Sequence, residues 1–149
     1  MSADEPLVPI PTPVPPGAQR THPAAWLWLS LAVIALDQAT KFLATRFLEL
    51  YERVEVLPVL DFTLLHNTGA AFSLLAGASG WQRWFFIGLA ITVSVVLVVW
   101  IWRTPRGEKL LPLSLSLILG GALGNVIDRI VHGYVVDFIH AHWGAAYFP

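Results

Sequence analysis

Three apolar segments of this chain are each long enough to cross a lipid bilayer as a helix, which takes about 20 residues. They run from Ala24 to about Phe47, from Trp84 to Trp102 and from Leu110 to about Ile127. Hydrophobic residues make up 56% of the chain and charged residues only 13%, which is too little charge to cover a soluble surface. The sequence therefore predicts an all-α integral membrane protein with three transmembrane helices.

The regions outside these spans are a tail and one long loop. Residues 1–23 hold most of the prolines, which lack a backbone donor and fix φ, so we expect a disordered proline-rich tail. Residues 24–149 are the predicted membrane domain. Between the first two spans, β-branched residues from Val54 to Leu65 predict short strands, which would give a small β-rich outer loop.

The connecting loops predict the orientation in the membrane. RTPRGEK, between the second and third spans, carries Arg103, Arg106 and Lys109 against Glu108. Because short basic loops stay on the cytoplasmic side, this loop and the amino-terminal tail are predicted to be cytoplasmic, and the long loop external. The net charge of −1 gives no basic field that would attract nucleic acid.

Polar side chains at the outer ends of the spans form a candidate site. With this orientation, residues far apart in the sequence meet at one face of the membrane, and they are Asp37, Lys41, Asn67, Asn125, Asp128, Arg129 and Asp137. Ionisable groups close to hydrocarbon are costly, so they are usually paired or functional. Their convergence predicts a site near the outer face.

Two of these groups also have simpler explanations, which the residues alone leave open. Asp37 and Lys41 are one helical turn apart, so they could form a local ion pair or help to shape a site. Asn125, Asp128 and Arg129 share a helix face. They could form a polar helix end in which Arg129 reaches up to the lipid headgroups.

Asp137 favours a catalytic interpretation. It stands in YVVDFIH, and a carboxyl group with such apolar neighbours can keep a proton near neutral pH. Two carboxylates that share a proton can activate water and then protonate a leaving amine. From this chain alone, Asp128 is the obvious second carboxylate.

His140 and His142 raise the alternative of a zinc site, because Asp137 precedes them closely. On a helix-like segment, however, two histidines at this spacing point to different faces, and no HExxH motif is present. The chain also has no cysteine to supply a thiolate ligand. We therefore expect no metal site.

Four motifs, LDQATK, NTGAAFS, GGALGNVIDR and VVDF, occur in this order along the chain. In this combination the chain from Trp26 onward resembles the bacterial lipoprotein signal peptidases (signal peptidase II). The resemblance implies a four-helix, multi-pass aspartic peptidase of the bacterial inner membrane, which cuts prolipoproteins before the lipid-modified cysteine. It implies no metal or organic cofactor. The implied partners are diacylglyceryl-modified prolipoproteins and membrane lipids, and the enzyme would act as a monomer.

The resemblance also implies roles for individual residues. Asp137 matches the first catalytic aspartate. The residues expected to bind substrate or support the site are Asp37, Lys41, Asn67, Gly69, Asn125, Asp128 and Arg129. Asp128 thereby becomes an orienting carboxylate. In the family an FNxAD motif, which supplies the second catalytic aspartate, and a fourth helix follow the position of YFP. The resemblance therefore predicts that this chain is incomplete at its carboxyl end and lacks half of the dyad.

A function of another class is the alternative. A small non-enzymatic membrane protein, such as a transporter subunit or assembly factor, could use Asp37, Lys41 and Arg129 as a polar relay. A relay predicts polar residues spread through the depth of the bilayer, whereas a peptidase site predicts that they gather at one face.

Overall fold

The computed structural model describes residues 22–69, 80–143 and 146–148. Within these residues it has three long helices, α1 Pro23–Phe47, α2 Trp81–Arg103 and α3 Leu110–Val131. All three are long and apolar enough to cross a membrane, which confirms the predicted spans. Apart from its last two residues, the proline-rich tail lies outside the described residues, as does the NTGAAFS segment after Gly69.

The helix ends follow from local chemistry. Pro23 occupies the first turn of α1, where its missing donor costs nothing, and the side chain of His22 accepts the N–H of Ala24 at 3.2 Å. Helix α3 continues past Ile127, the predicted end, to Val131. The extra turn carries Asp128 into the protein interior, where its carboxylate finds hydrogen-bond donors.

A four-stranded antiparallel sheet covers one end of the helices. Its strands are β1 Arg53–Leu57, β2 Leu60–Asn67, β3 Val135–Trp143 and β4 Ala146–Phe148, and they lie in this order across the sheet. The predicted strands of the outer loop, β1 and β2, are confirmed. The helix-like interpretation of the segment around His140 is wrong, because that segment is β3. Its β-branched residues suit the pleated sheet, and β2 supplies the ladder partners.

The register between β2 and β3 brings two predicted site residues together. Leu65 lies opposite Asp137, and Asn67 lies opposite Val135, with an irregularity between Phe62 and Leu65. Residues two apart on a strand point to the same face, so Asn67 and Leu65 share a face next to Asp137.

Helix α3 packs along both α1 and α2, while α1 and α2 contact each other only slightly. The hydrophobic core between α2 and α3 consists of Leu97 and Ile101 packed against Leu115 and Leu119. Many other large apolar side chains of the three helices are exposed, as lipid-facing residues would be.

Glycines set the close approach of α1 and α3. A Cβ built on Gly124 would lie 2.8 Å from Cγ of Asp37, and one built on Gly120 would lie 2.6 Å from Cβ of Val33. A Cβ on Gly121 would meet nothing within 4 Å. Gly120 and Gly124 therefore permit close packing against α1, as small residues do in membrane helices, and Gly121 does not take part.

Replacing Gly124 by Ala is expected to separate α1 from α3 and to destabilise the protein by about 1–3 kcal/mol, because the new methyl group overlaps the Asp37 carboxylate. Gly121→Ala is the matched control, since it adds the same methyl group to the same helix in open space. Melting temperatures in detergent measure the difference. Equal melting temperatures for the two variants would contradict the close-packing role of Gly124.

Candidate active site

A cavity of about 360 Å³ opens where α1 and α3 meet β3. Its polar lining comes from residues that are far apart in the sequence, and they are Asp37, Lys41, Asn67, Asn125, Arg129 and Asp137. Gly69 and Asp128, the other two predicted site residues, do not line this cavity but contact residues that do.

Asp137 enters the cavity from β3 and is held by Asn67. The side-chain amide of Asn67 donates to Oδ2 of Asp137 at 2.9 Å. The amide oxygen of Asn67 in turn accepts the backbone N–H of Gly69 at 2.9 Å. The NTGAAFS motif thus begins with an amide that is itself hydrogen-bonded and that orients one oxygen of the Asp137 carboxylate.

Arg129 ties the same loop to α3. It donates from Nη2 to the carbonyl oxygen of Gly69 at 2.8 Å, and its guanidinium lies 5.2 Å from the ring centroid of Phe86. The simpler explanation predicts that Arg129 reaches up to the lipid headgroups. Only 9% of its surface is exposed, however, so Arg129 points into the protein instead. It supports the loop that carries Asn67.

Lys41 is the centre of a second network, on the α1 side of the cavity. Its ammonium group lies 3.0 Å from Asp37 and 2.8 Å from Asp128, and it donates to Oδ1 of Asn125 at 2.9 Å. These three acceptors match the three hydrogens of an ammonium group. The ion pair of Asp37 and Lys41 is therefore both local and part of the link between α1 and α3.

Asp128 is committed to contacts within the protein. Its Oδ2 accepts the backbone N–H of Val136 at 3.1 Å, in addition to the ion pair with Lys41. Its Oδ1 accepts from Gln38 at 2.8 Å. Only 1% of its surface is exposed. This carboxylate fixes the first residues of β3, immediately before Asp137.

Gln38 is a member of the site that sequence reasoning missed. Its amide contacts Asp37 at 3.1 Å, Asp128 at 2.8 Å and the carbonyl oxygen of Gly124 at 3.3 Å. The available signal was an amide in a transmembrane span, directly after Asp37 in LDQATK. Such an amide needs a partner in hydrocarbon, and α3 provides two.

The distribution of polar groups does not match a relay through the bilayer. In α1 and α3 the charged residues within the described chain lie in the half next to the sheet, apart from those at the helix termini. The charged residues of α2, Arg83 and Arg103, lie at its ends. Among residues 22–69, 80–143 and 146–148, no group of three or more histidine, aspartate or glutamate side chains could hold a metal ion.

Comparisons with known proteins place the chain among membrane peptidases. The profile of the Signal peptidase (SPase) II family matches residues 29–149. The lipoprotein signal peptidase of Ectopseudomonas mendocina is 52% identical over 134 residues, which are 89% of this chain and 79% of that protein. The lipoprotein signal peptidase of Pseudomonas putida is 53% identical over 90% of this chain and 80% of that protein.

Solved structures show the same fold. A bacterial membrane enzyme determined at 2.3 Å resolution superposes with a TM-score of 0.74 and 30% identity, covering 87% of this chain and 77% of that one. A second membrane enzyme structure, at 1.9 Å resolution, has a TM-score of 0.68 and 30% identity, over 82% of this chain and 77% of that one. The chain therefore belongs to the signal peptidase II family, the membrane proteases that remove signal peptides from prolipoproteins.

Proposed function

We propose that this protein is an aspartic endopeptidase that cuts prolipoproteins immediately before the diacylglyceryl-modified cysteine. The observation that carries the proposal is the position of Asp137, whose carboxylate lines the cavity and is oriented by Asn67 at 2.9 Å. The other two carboxylates near the cavity, Asp37 and Asp128, are both bound to Lys41.

In this mechanism Asp137 works as one half of a proton-sharing pair with a second aspartate. One carboxylate takes a proton from water as the water oxygen attacks the scissile carbonyl carbon. The proton then goes to the leaving nitrogen as the C–N bond breaks. The pair needs no metal and no organic cofactor, because the two carboxyl groups exchange the roles of base and acid.

The second carboxylate is, in this proposal, neither Asp37 nor Asp128. Both are less than 3.1 Å from the ammonium group of Lys41, and Asp128 also accepts two further hydrogen bonds. Their oxygens are thus engaged by donors of the protein itself and hold α1, α3 and β3 together, a supporting role rather than a catalytic one. The resemblance supplies a candidate in the FNxAD motif, after the position of Pro149.

The proposed supporting residues act through Asp137 or through the loop around it. Asn67 orients the carboxylate, and Arg129 holds the carbonyl of Gly69 so that the loop stays in place. Lys41 and Asn125 keep α1 against α3 on the other side of the cavity. These contacts provide the preorganisation that a peptidase site requires.

To test the function, a purified diacylglyceryl-modified prolipoprotein is incubated with the enzyme in detergent, and its cleavage is measured. Mass spectrometry of the mature product should show the lipid-modified cysteine as its first residue. A product that begins at another residue would contradict the proposed cleavage site.

We also propose that the protein is a monomer in the bacterial inner membrane, with its amino terminus in the cytoplasm and the cavity near the outer face. The position of one basic loop supports this orientation. The basic loop from Thr104 to Lys109 joins α2 and α3 at the end opposite the sheet. Loops rich in arginine and lysine resist translocation, so the sheet end faces outward.

The orientation predicts different labelling of two single cysteines. Glu108→Cys should be shielded from a membrane-impermeant thiol reagent in intact cells, because the basic loop is cytoplasmic, whereas Glu55→Cys in β1 should be labelled. Both side chains are exposed, and the chain has no cysteine of its own to interfere. Labelling of Glu108→Cys before the cells are permeabilised would reverse the orientation.

A further inference from the structure

Three aromatic rings stack beside the site on its sheet side. The ring of Tyr134 lies 3.9 Å from that of His66, with 18° between the planes, and 5.7 Å from that of His132, with 26° between the planes. His66 and His132 are exposed and Tyr134 is half-buried. The proposed peptidase mechanism uses none of these three rings. We call them the ring stack.

The ring stack joins three parts of the chain that meet at the site. His132 caps the carboxyl end of α3, where its N–H donates to the carbonyl oxygen of Asp128 at 2.7 Å. Gly133, with φ of 88°, turns the chain so that Tyr134 follows at the start of β3. A residue with a side chain would be strained at this φ, so the turn that aligns His132 with Tyr134 depends on glycine.

The third ring belongs to the residue directly before Asn67. His66 lies opposite Val136 in the sheet. The adjacent pairs in the register are Asn67 with Val135 and Leu65 with Asp137. The ring stack is therefore a side-chain contact between β2 and the start of β3, one residue away from the amide that holds the Asp137 carboxylate.

We propose that the ring stack of His66, Tyr134 and His132 is a positioning element, which holds Asn67 against Asp137 when His66 is neutral and loosens when His66 gains a proton. The proposal rests on the assignment of Asp137 as the catalytic carboxylate. Asp128 fixes the backbone of Val136 through its carboxylate, and the ring stack fixes β2 relative to the same turn. The two contacts together determine where Asn67 and Asp137 meet.

The electrostatic surroundings of the stack oppose a proton on His66. Partial desolvation lowers the pKa of His66 below its ordinary value of 6.5, although the side chain is exposed, and the charge of His132 lowers it further. The folded arrangement thus favours neutral His66. The contribution of the stack is fully present above the ordinary pKa and declines as the pH falls through the lowered one.

Charged groups of each neighbouring element are close to the stack. Lys41 of α1 and Asp128 of α3 line a cavity together with His132 and Tyr134, and the guanidinium of Arg83 of α2 donates to the carbonyl oxygen of Ile130 at 3.0 Å. Asp137 of β3 lies opposite the residue before His66. The contribution of His66 to the pH dependence must therefore be separated from that of the carboxylates. A ring that does not titrate, placed at position 66, allows this separation.

The test compares His66→Phe and His66→Ala in the full enzyme, with kcat and KM for a lipid-modified prolipoprotein measured from about pH 5 to about pH 8. His66→Ala removes the stack and is expected to lower kcat about two- to ten-fold at the alkaline end, the range of one aromatic pair, with a smaller change in KM. His66→Phe keeps a ring that does not titrate. It should restore kcat relative to His66→Ala and decline less than the wild type towards acid pH.

His22→Phe is the matched control, because it replaces an imidazole ring by the same phenyl ring at the end of α1 that lies away from the sheet, and it should leave the pH profile unchanged. Wild-type kcat in His66→Ala would overturn the proposal. So would an acid decline in His66→Phe equal to that of the wild type, and this comparison stands even where His66→Ala folds poorly. These outcomes are distinct from failure of the proposed function, which would show as activity in Asp137→Asn.

Discussion

Replacing Asp137 by Asn is expected to abolish conversion of prolipoprotein to its mature form while substrate binding persists. The amide has nearly the same shape as the carboxylate and can still contact Asn67. In the unaltered protein, Asn67 donates to Oδ2 of Asp137 at 2.9 Å. It can neither take a proton from water nor return one to the leaving nitrogen. General acid–base catalysis contributes about a hundred- to ten-thousand-fold in rate, so the loss should be at least of this order.

Asp128→Asn is the control that separates catalysis from structure. Asp128 is buried and accepts from Lys41, Gln38 and the backbone of Val136, so the amide should lower the melting temperature and weaken substrate binding as well as turnover. Asp137 is half-buried and lines the cavity, and its variant should melt close to the wild type. Full activity in Asp137→Asn would refute the aspartic mechanism.

Replacing Lys41 by Met should give the largest loss of stability. Lys41 is 7% exposed and is bound to both Asp37 and Asp128, so its removal leaves both carboxylates without the ammonium group that pairs with them. Removing one partner of a buried ion pair costs about 3–5 kcal/mol, because an uncompensated charge stays behind. Thermal unfolding in detergent, monitored by the loss of soluble protein, measures the effect.

Two further variants give this prediction its controls. Lys109→Met removes an exposed lysine at the opposite end of α3 and should change the melting temperature little. Adding Asp128→Asn to Lys41→Met removes one of the uncompensated charges and should recover part of the loss. If the double variant is no more stable than Lys41→Met alone, the charge network is not what stabilises this end of the protein.

The sequence by itself determined the membrane helices and the family. Helices α1, α2 and α3 were predictable because the length and hydropathy of a span are local properties that the bilayer thickness sets. Strands β1 and β2 were predictable for a similar reason, since they are joined by a short turn and pair with each other. The four motifs indicated the family because each places unusual polar residues among apolar ones, and the motifs occur in a fixed order along the chain.

Only the tertiary structure decided which polar residues contact one another and which line the cavity. From the residues alone, Asp128 was the obvious second carboxylate beside Asp137. Only the folded chain shows that Lys41, Gln38 and Val136 engage Asp128 while Asp137 lines the cavity. The strand character of β3 likewise depends on its antiparallel pairing with β2, about 70 residues earlier in the sequence. Such contacts have no local signature, because their free energy comes from burial and from partners that folding alone brings within reach.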